Sequence, residues 1–182
     1  MLQAGQVGYS LLELLVVLTV GAILLSIAVP SMTGMLNTQR STSLANSFLS
    51  SLNLARNEAI KRNARAVLCK SADGLSCAGS GGWEQGWILF HDANNNAALD
   101  HGEQVIEQQG AVSQGLRLTG NTPVADYVSY SASGSAKLIS GAFQAGTFTL
   151  CLVPVSSADV RQIVLSSTGR ARFRRGSASD CS

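Results

Sequence analysis

The chain is poor in charge, in aromatic residues and in the side chains of acid–base chemistry. Of 182 residues, 13% are charged and 5% aromatic, and there are three prolines and two histidines. His91 and His101 have no nucleophile partner in an evident motif, and no Gly-x-Ser-x-Gly occurs, so the sequence reads as non-enzymatic. The four cysteines form no Cys-x-x-Cys pair, which argues against a zinc framework, and no cofactor is implied. Met1 to Gly8 contains no Lys or Arg, and it is too short and too polar to be the core of a secretory signal peptide. Charge is missing altogether from Leu14 to Gln39.

That uncharged stretch is the first thing present. About 20 apolar residues at about 1.5 Å each cross a bilayer core, so a membrane helix is expected. Glu13 stands at its edge, where a carboxylate costs a few kcal/mol unless it reaches the interface or finds a partner. Pro30 is followed by Met32, Met35 and Leu36 rather than by a turn signal, which predicts a kink inside a longer helix. Beyond Gly34 the pattern turns amphipathic. Leu44, Phe48, Leu52, Ala55 and Ala59 recur at helical spacing, with Asn46, Ser50, Asn53, Arg56 and Asn57 toward the other side, and the helix should end near Arg62-Asn63.

Gly8, Tyr9, Glu13 and Pro30 in this register resemble the prepilin-peptidase site and helix of type IV pilins and type II secretion pseudopilins. The resemblance implies cleavage between Gly8 and Tyr9 by prepilin peptidase and methylation of the new amine on Tyr9. It also implies single-pass residence in the inner membrane with a periplasmic C-terminal head, followed by assembly with other pilins into a pilus. In the filament Glu13 would face the N-terminal amine of a neighbouring subunit, a pair costly to break in an apolar bundle. The sequence departs from the usual pattern in having Tyr where Phe is common and in lacking a basic leader, so the positive-inside rule gives little help with orientation. The expected organisation is a leader at 1–8, a membrane and filament-core half-helix at 9–36, an amphipathic half at 37–63 and a head at 64–182.

The head is rich in Gly, Ser, Thr and Asn from Ser71 onward, the habit of a strand-rich extracytoplasmic domain. Strands are expected at Arg65–Lys70, Gly86–Phe90, Glu103–Gln109, Leu116–Thr119, Tyr127–Ser131, Thr147–Val153 and Arg161–Ser166. The fold class is α+β: a long N-terminal helix backing a mostly antiparallel sheet, with two sheets as a variant. The stretch from Trp83 through Trp87 to Asp92 and Asn96 resembles a recurrent hairpin of the GspH/FimT branch of pseudopilins and minor pilins. In an oxidising compartment disulfides fit the cysteines. Of three pairings, Cys69–Cys77 with Cys151–Cys181 is favoured, the first closing a short Gly/Ser loop and the second tying the tail to a strand; four thiols, or the second bridge alone, are the alternatives. Asp92, Asn94, Asn96, Asp100 and Glu103 match positions of a calcium loop. Against that, Ala97 occupies the position where the sharp turn wants Gly, and the flank reads as strand, so a solvated hairpin loop is the favoured reading and no metal is assigned.

The chain ends on its charge. Residues 161–182 hold five Arg and one Asp, a local +4 in a chain of net +2, whereas Glu84 to Glu107 holds five acids and no Lys or Arg. Gly169 permits a tight turn, and the residues after it alternate like a strand. Arg170, Arg172 and Arg174 would then form one row spaced about 6.7 Å, with Arg175 extending the charge and Phe173 turned away into the core. That spacing is close to the separation of successive phosphates on a nucleic-acid strand, and guanidinium forks grip phosphate. Gly169, Arg170 and Arg172 resemble the Gly-Arg-x-Arg motif of FimT-type minor pilins, which implies capture of double-stranded DNA through its backbone, independent of sequence, during natural transformation. The alternatives are a GspH-like secretion pseudopilin or a pilus-priming subunit without DNA binding, with the basic edge serving solubility or contact with an acidic neighbouring subunit.

Overall fold

The computed structural model describes residues 10–154 and 160–181, the side chains at 27–31 and 33 excepted. Gly8 and Tyr9 lie outside the described residues. Helix α1 runs from Leu11 to Arg62, through Pro30. Ser10 caps its start: its Oγ accepts the Glu13 N–H at 3.2 Å and its carbonyl accepts the Leu14 N–H. Ser10-Leu-Leu-Glu13 therefore has the spacing of a capping box, with an acid in the positively polarised first turn.

The chain forms two compact units, residues 1–39 and 40–182. In the first, Leu11, Leu12, Leu14, Leu15, Leu18, Ile23, Leu24 and Leu25 are exposed. A helix apolar on every side is made for a non-aqueous environment. Among the described residues, however, no helix is long and apolar enough to cross a membrane. Side chains at 27–31 and 33, in the middle of the span expected at residues 9–36, are not described, and the described residues alone do not carry that span.

The second unit holds the C-terminal part of α1 and eight strands: β1 (Arg65–Lys70), β2 (Trp87–Asp92), β3 (Val105–Gln109), β4 (Leu116–Gly120), β5 (Tyr127–Tyr130), β6 (Gly146–Leu152), β7 (Arg161–Leu165) and β8 (Ala171–Arg175). They form two antiparallel four-stranded sheets, ordered β3-β2-β1-β5 and β4-β6-β7-β8. Leu44, Phe48, Leu52, Ala55 and Ala59 of α1 are buried in one cluster with Leu68, Leu89 and Val128 of the first sheet and Leu118, Leu150 and Ile163 of the second. Phe48 sits at the centre, edge-on to Trp83, Trp87 and Phe148 with ring centroids 4.7–5.2 Å apart. Such contacts add to the area each ring buries. Polar atoms among them are matched: Trp87 Nε1 donates to Ser51 Oγ at 3.0 Å and Trp83 Nε1 to the Val124 carbonyl at 3.1 Å.

Because side chains alternate along a strand, each sheet also has an outer face. That of the first sheet is apolar, with Val67, Cys69, Ile88 and Phe90 buried under Cys77, Ala97 and Leu99. That of the second is polar. Register places Thr119, Thr149, Gln162 and Arg174 in one row across its four strands, and Thr147, Val164 and Arg172 in the next. One disulfide serves each sheet, Cys69–Cys77 in the first and Cys151–Cys181 in the second.

Candidate functional site

The hairpin of β7 and β8 turns at Ser166 to Arg170, where Ser166 N–H donates to the Arg170 carbonyl and Gly169 N–H to the Ser166 carbonyl, both at 2.9 Å. Gly169 has φ +79°, and a Cβ built on it would lie 2.0 Å from the Gly134 carbonyl oxygen. Only glycine fits both demands. The Gly134 carbonyl in turn accepts Arg56 Nε from α1 at 2.9 Å, and Ala136 N–H donates to the Ser167 carbonyl. The turn is thus seated on the loop at residues 131–135, and the glycine's role is to position the arginines of β8.

Strand β8 is the edge of its sheet, paired among the described residues only with β7. Arg172 and Arg174 face outward opposite Val164 and Gln162, while Arg175, opposite Arg161, is on the other face. Arg170 belongs to the turn rather than the strand. All four guanidinium-bearing residues are exposed. Among the described residues none of the four lies within ion-pairing distance of a carboxylate. Asp180 is the nearest thing to a counter-charge: its carboxyl is held below the usual range chiefly by the Ser177 N–H, then by the Ser177 hydroxyl, with a smaller contribution from the charge of Arg174.

Phe173 corrects the expectation drawn from alternation. It shares the inward parity of Ile163, yet it is 45% exposed. Ile163 already occupies the end of the core, and on β8 only Ala171 packs against that cluster. Alternation names a face, but at an edge strand the face can extend past the material that would cover it.

In the loop after β2 the residues of the calcium-like pattern bond one another and the backbone. Asp100 Oδ2 accepts both Asn94 Nδ2 and Asn96 Nδ2 at 2.7 Å, which lowers its pKa. Asp92, buried, accepts the N–H groups of Asn96 and Ala97, and Glu103 accepts those of Ala93 and Asp100. The acids are turned onto backbone and amide donors, and among the described residues no group of three or more His, Cys, Asp or Glu is placed to hold a metal ion. Ala97 does take the left-handed turn, at φ +58°. His91 lies in β2, half-buried, with its N–H bonded to the Gln104 carbonyl at 3.0 Å.

Sequence reasoning passed over two parts of this architecture. Ser10 was readable from its spacing to Glu13. The seat beneath Gly169 was not, because Gly134 and Arg56 are remote in sequence.

Comparison with known proteins fits this geometry. A family model described as type II transport protein GspH matches residues 44–169, and the prokaryotic N-terminal methylation motif matches residues 6–29. The pilin-like protein PilA1 of Thermus thermophilus is 34% identical over 169 residues, covering 91% of this chain and 97% of that protein. Among solved structures, the type IV minor pilin FimU of Pseudomonas aeruginosa superposes with TM-score 0.54 at 17% identity, over 76% of this chain and 94% of its own. The minor pseudopilin EpsH of the Vibrio cholerae type 2 secretion system gives TM-score 0.51 at 14% identity, over 75% and 97%.

Proposed function

The chain belongs to the GspH family of pilin-like proteins and carries the N-terminal methylation motif, and from that premise we propose that it is a minor pilin whose basic edge binds duplex DNA for uptake in natural transformation. Members of this family are structural subunits that assemble with other pilins, not enzymes. Prepilin peptidase would cut between Gly8 and Tyr9 and the Tyr9 amine would be methylated. The inner membrane would hold the subunit by its apolar helix until Glu13 pairs with the amine of a neighbour in the filament.

One observation carries the DNA reading: four exposed arginines, Arg170 in the turn and Arg172, Arg174 and Arg175 on the edge strand it leads into, with no ion-paired carboxylate among the described residues. A DNA backbone supplies the missing anions, and contacts made to phosphate show little sequence preference and weaken steeply with salt. The test is a gel shift of the full chain in detergent micelles with a short duplex, across a salt series. Changing Arg170 and Arg172 to Gln should weaken binding and reduce the slope of log K against log salt by roughly 0.9 for each phosphate no longer neutralised. Unaltered binding in that double variant removes the arginine edge as the site, and no shift at low salt removes DNA.

The second reading is a pseudopilin or priming subunit without a nucleic-acid role, its arginine edge meeting an acidic neighbour. Asp100, the exposed acid among the five from Glu84 to Glu107, favours it, since a second copy would present it. Absence of a DNA shift together with salt-sensitive self-association would support it.

A further inference from the structure

Beside Arg174 the outer face of the second sheet is hollowed into a cleft of about 310 Å³, lined by Thr119, Thr149, Gln162, Arg174 and Asp180 among others. Four of these are successive register partners: Thr119 opposite Thr149, Thr149 opposite Gln162, Gln162 opposite Arg174. With strands about 4.8 Å apart, this row reaches about 14 Å inward from the arginine edge, and the parallel row through Thr147 to Arg172 lies about 6.7 Å beside it. Such a face, polar and open, contrasts with the outer face of the first sheet, which is apolar and roofed by loops.

Resting on the DNA reading above, we propose that this row is the continuation of the nucleic-acid site: a sugar–phosphate backbone gripped by Arg172 and Arg174 at the edge runs across the strands, not along β8, and is held further in by the hydroxyls of Thr149 and Thr119. Two features support that course, and one acid stands beside it. Among the described residues the side-chain hydroxyls of Thr119, Thr147 and Thr149 are committed to no other side chain, so they are free to donate to phosphate oxygens. Gln162 is 4% exposed and its Oε1 lacks a partner among the described residues, so the floor of the cleft is polar and its amide is not fully paired. Asp180, the acid lining the cleft, has its Oδ2 taken by the Ser177 N–H at 2.7 Å and the Ser177 Oγ at 3.0 Å.

Arginines and hydroxyls leave different signatures. An arginine on phosphate releases counterions, whereas a neutral hydroxyl adds a hydrogen bond and releases none. The full chain in detergent micelles is titrated with a fluorescent duplex of about 20 base pairs across a salt series. Thr119→Val with Thr149→Val, isosteric and well suited to strands, should weaken binding by about five- to tenfold, in line with two ordinary hydrogen bonds, and leave the salt slope unchanged. Arg174→Gln should lower the slope by about 0.9. Thr119→Ser with Thr149→Ser should bind as the parent does, which separates a lost hydroxyl from a disturbed sheet. If the Val pair binds like the parent while Arg170→Gln with Arg172→Gln loses affinity, the transverse course is wrong and the arginine edge stands. If the Ser pair fails as badly as the Val pair, the effect is structural and the proposal falls. If the arginine variants also change nothing, the DNA reading falls with it.

Discussion

The two sheets share a plan and differ in what covers them. Each is antiparallel, four-stranded, packed on α1 through its inner face and tied by one disulfide. The outer face of the first is apolar, and the polypeptide uses the Asp92–Glu103 loop and the Cys77 segment to roof it. Within that loop the acids serve as hydrogen-bond acceptors for the backbone and for asparagine amides. The outer face of the second is built of Thr, Gln and Arg and needs no roof; among the described residues, only Cys151, Val160 and Cys181 form a small apolar cluster beside it. The same architecture therefore yields one outer face that is apolar and covered and one that is polar and open. Charge alone would not have separated them, since both regions are strongly charged. What separates them is whether the charged groups already have partners.

The largest expected effect tests whether the sheets are one cooperative body. Phe48→Ala removes the ring that touches Trp83, Trp87 and Phe148, and should destabilise by about 3–5 kcal/mol. Hydrogen exchange should then accelerate in both sheets together; protection lost in only one would show that the shared core does not couple them. The disulfides come next. In the loop-closure account, losing Cys151–Cys181, whose partners are 30 residues apart, should cost about 3–4 kcal/mol. Losing Cys69–Cys77, 8 residues apart, should cost about 2–3 kcal/mol. Denaturant midpoints of the two Cys→Ser pairs decide it, and a reversed order would mean that strand context outweighs loop length.

A smaller effect belongs to the second sheet alone. Gly169→Ala forces a Cβ against the Gly134 carbonyl at positive φ and should cost about 1–3 kcal/mol. Exchange should rise in β8 and not in β2, and DNA affinity should fall although no arginine is touched. Smallest is a change confined to the loop beside the first sheet. Asp73 is lowered to about 2, first by the Leu75 N–H and then by the Ser76 N–H. A depressed carboxyl contributes stability that is fully present above its unfolded value near 3.8 and is lost as pH falls from there through about 2. Asp73→Asn should flatten the urea midpoint against pH in that window, and an unchanged acid limb would assign the loss to other carboxylates.

Most strands were legible because their signals are local. Arg65–Lys70 is a short apolar run between Asn63-Ala64 and Ser71-Ala-Asp-Gly74, and β1 occupies those residues; the strand expected at Glu103–Gln109 begins two residues later, at Val105. Arg172 and Arg174 share a face as parity along the strand predicts, whereas Arg170, expected in the same row, falls in the turn before β8. Phe173 was misplaced because parity says which face a side chain takes but not where the covering layer ends. The Thr–Gln–Arg row was invisible, being assembled from four separated strands.

By itself the sequence determined where the chain extends, where it coils, where it turns, and which end carries the positive charge. Periodicity, side-chain entropy and backbone freedom over a few residues suffice for that. Only the tertiary structure decided that β5 returns to β1 while β4 joins β6, that Gly169 is seated on Gly134, and that one outer face is roofed and the other open. Those outcomes depend on contacts between residues far apart in the chain, whose free energy comes from burial and pairing that exist only after the strands have met.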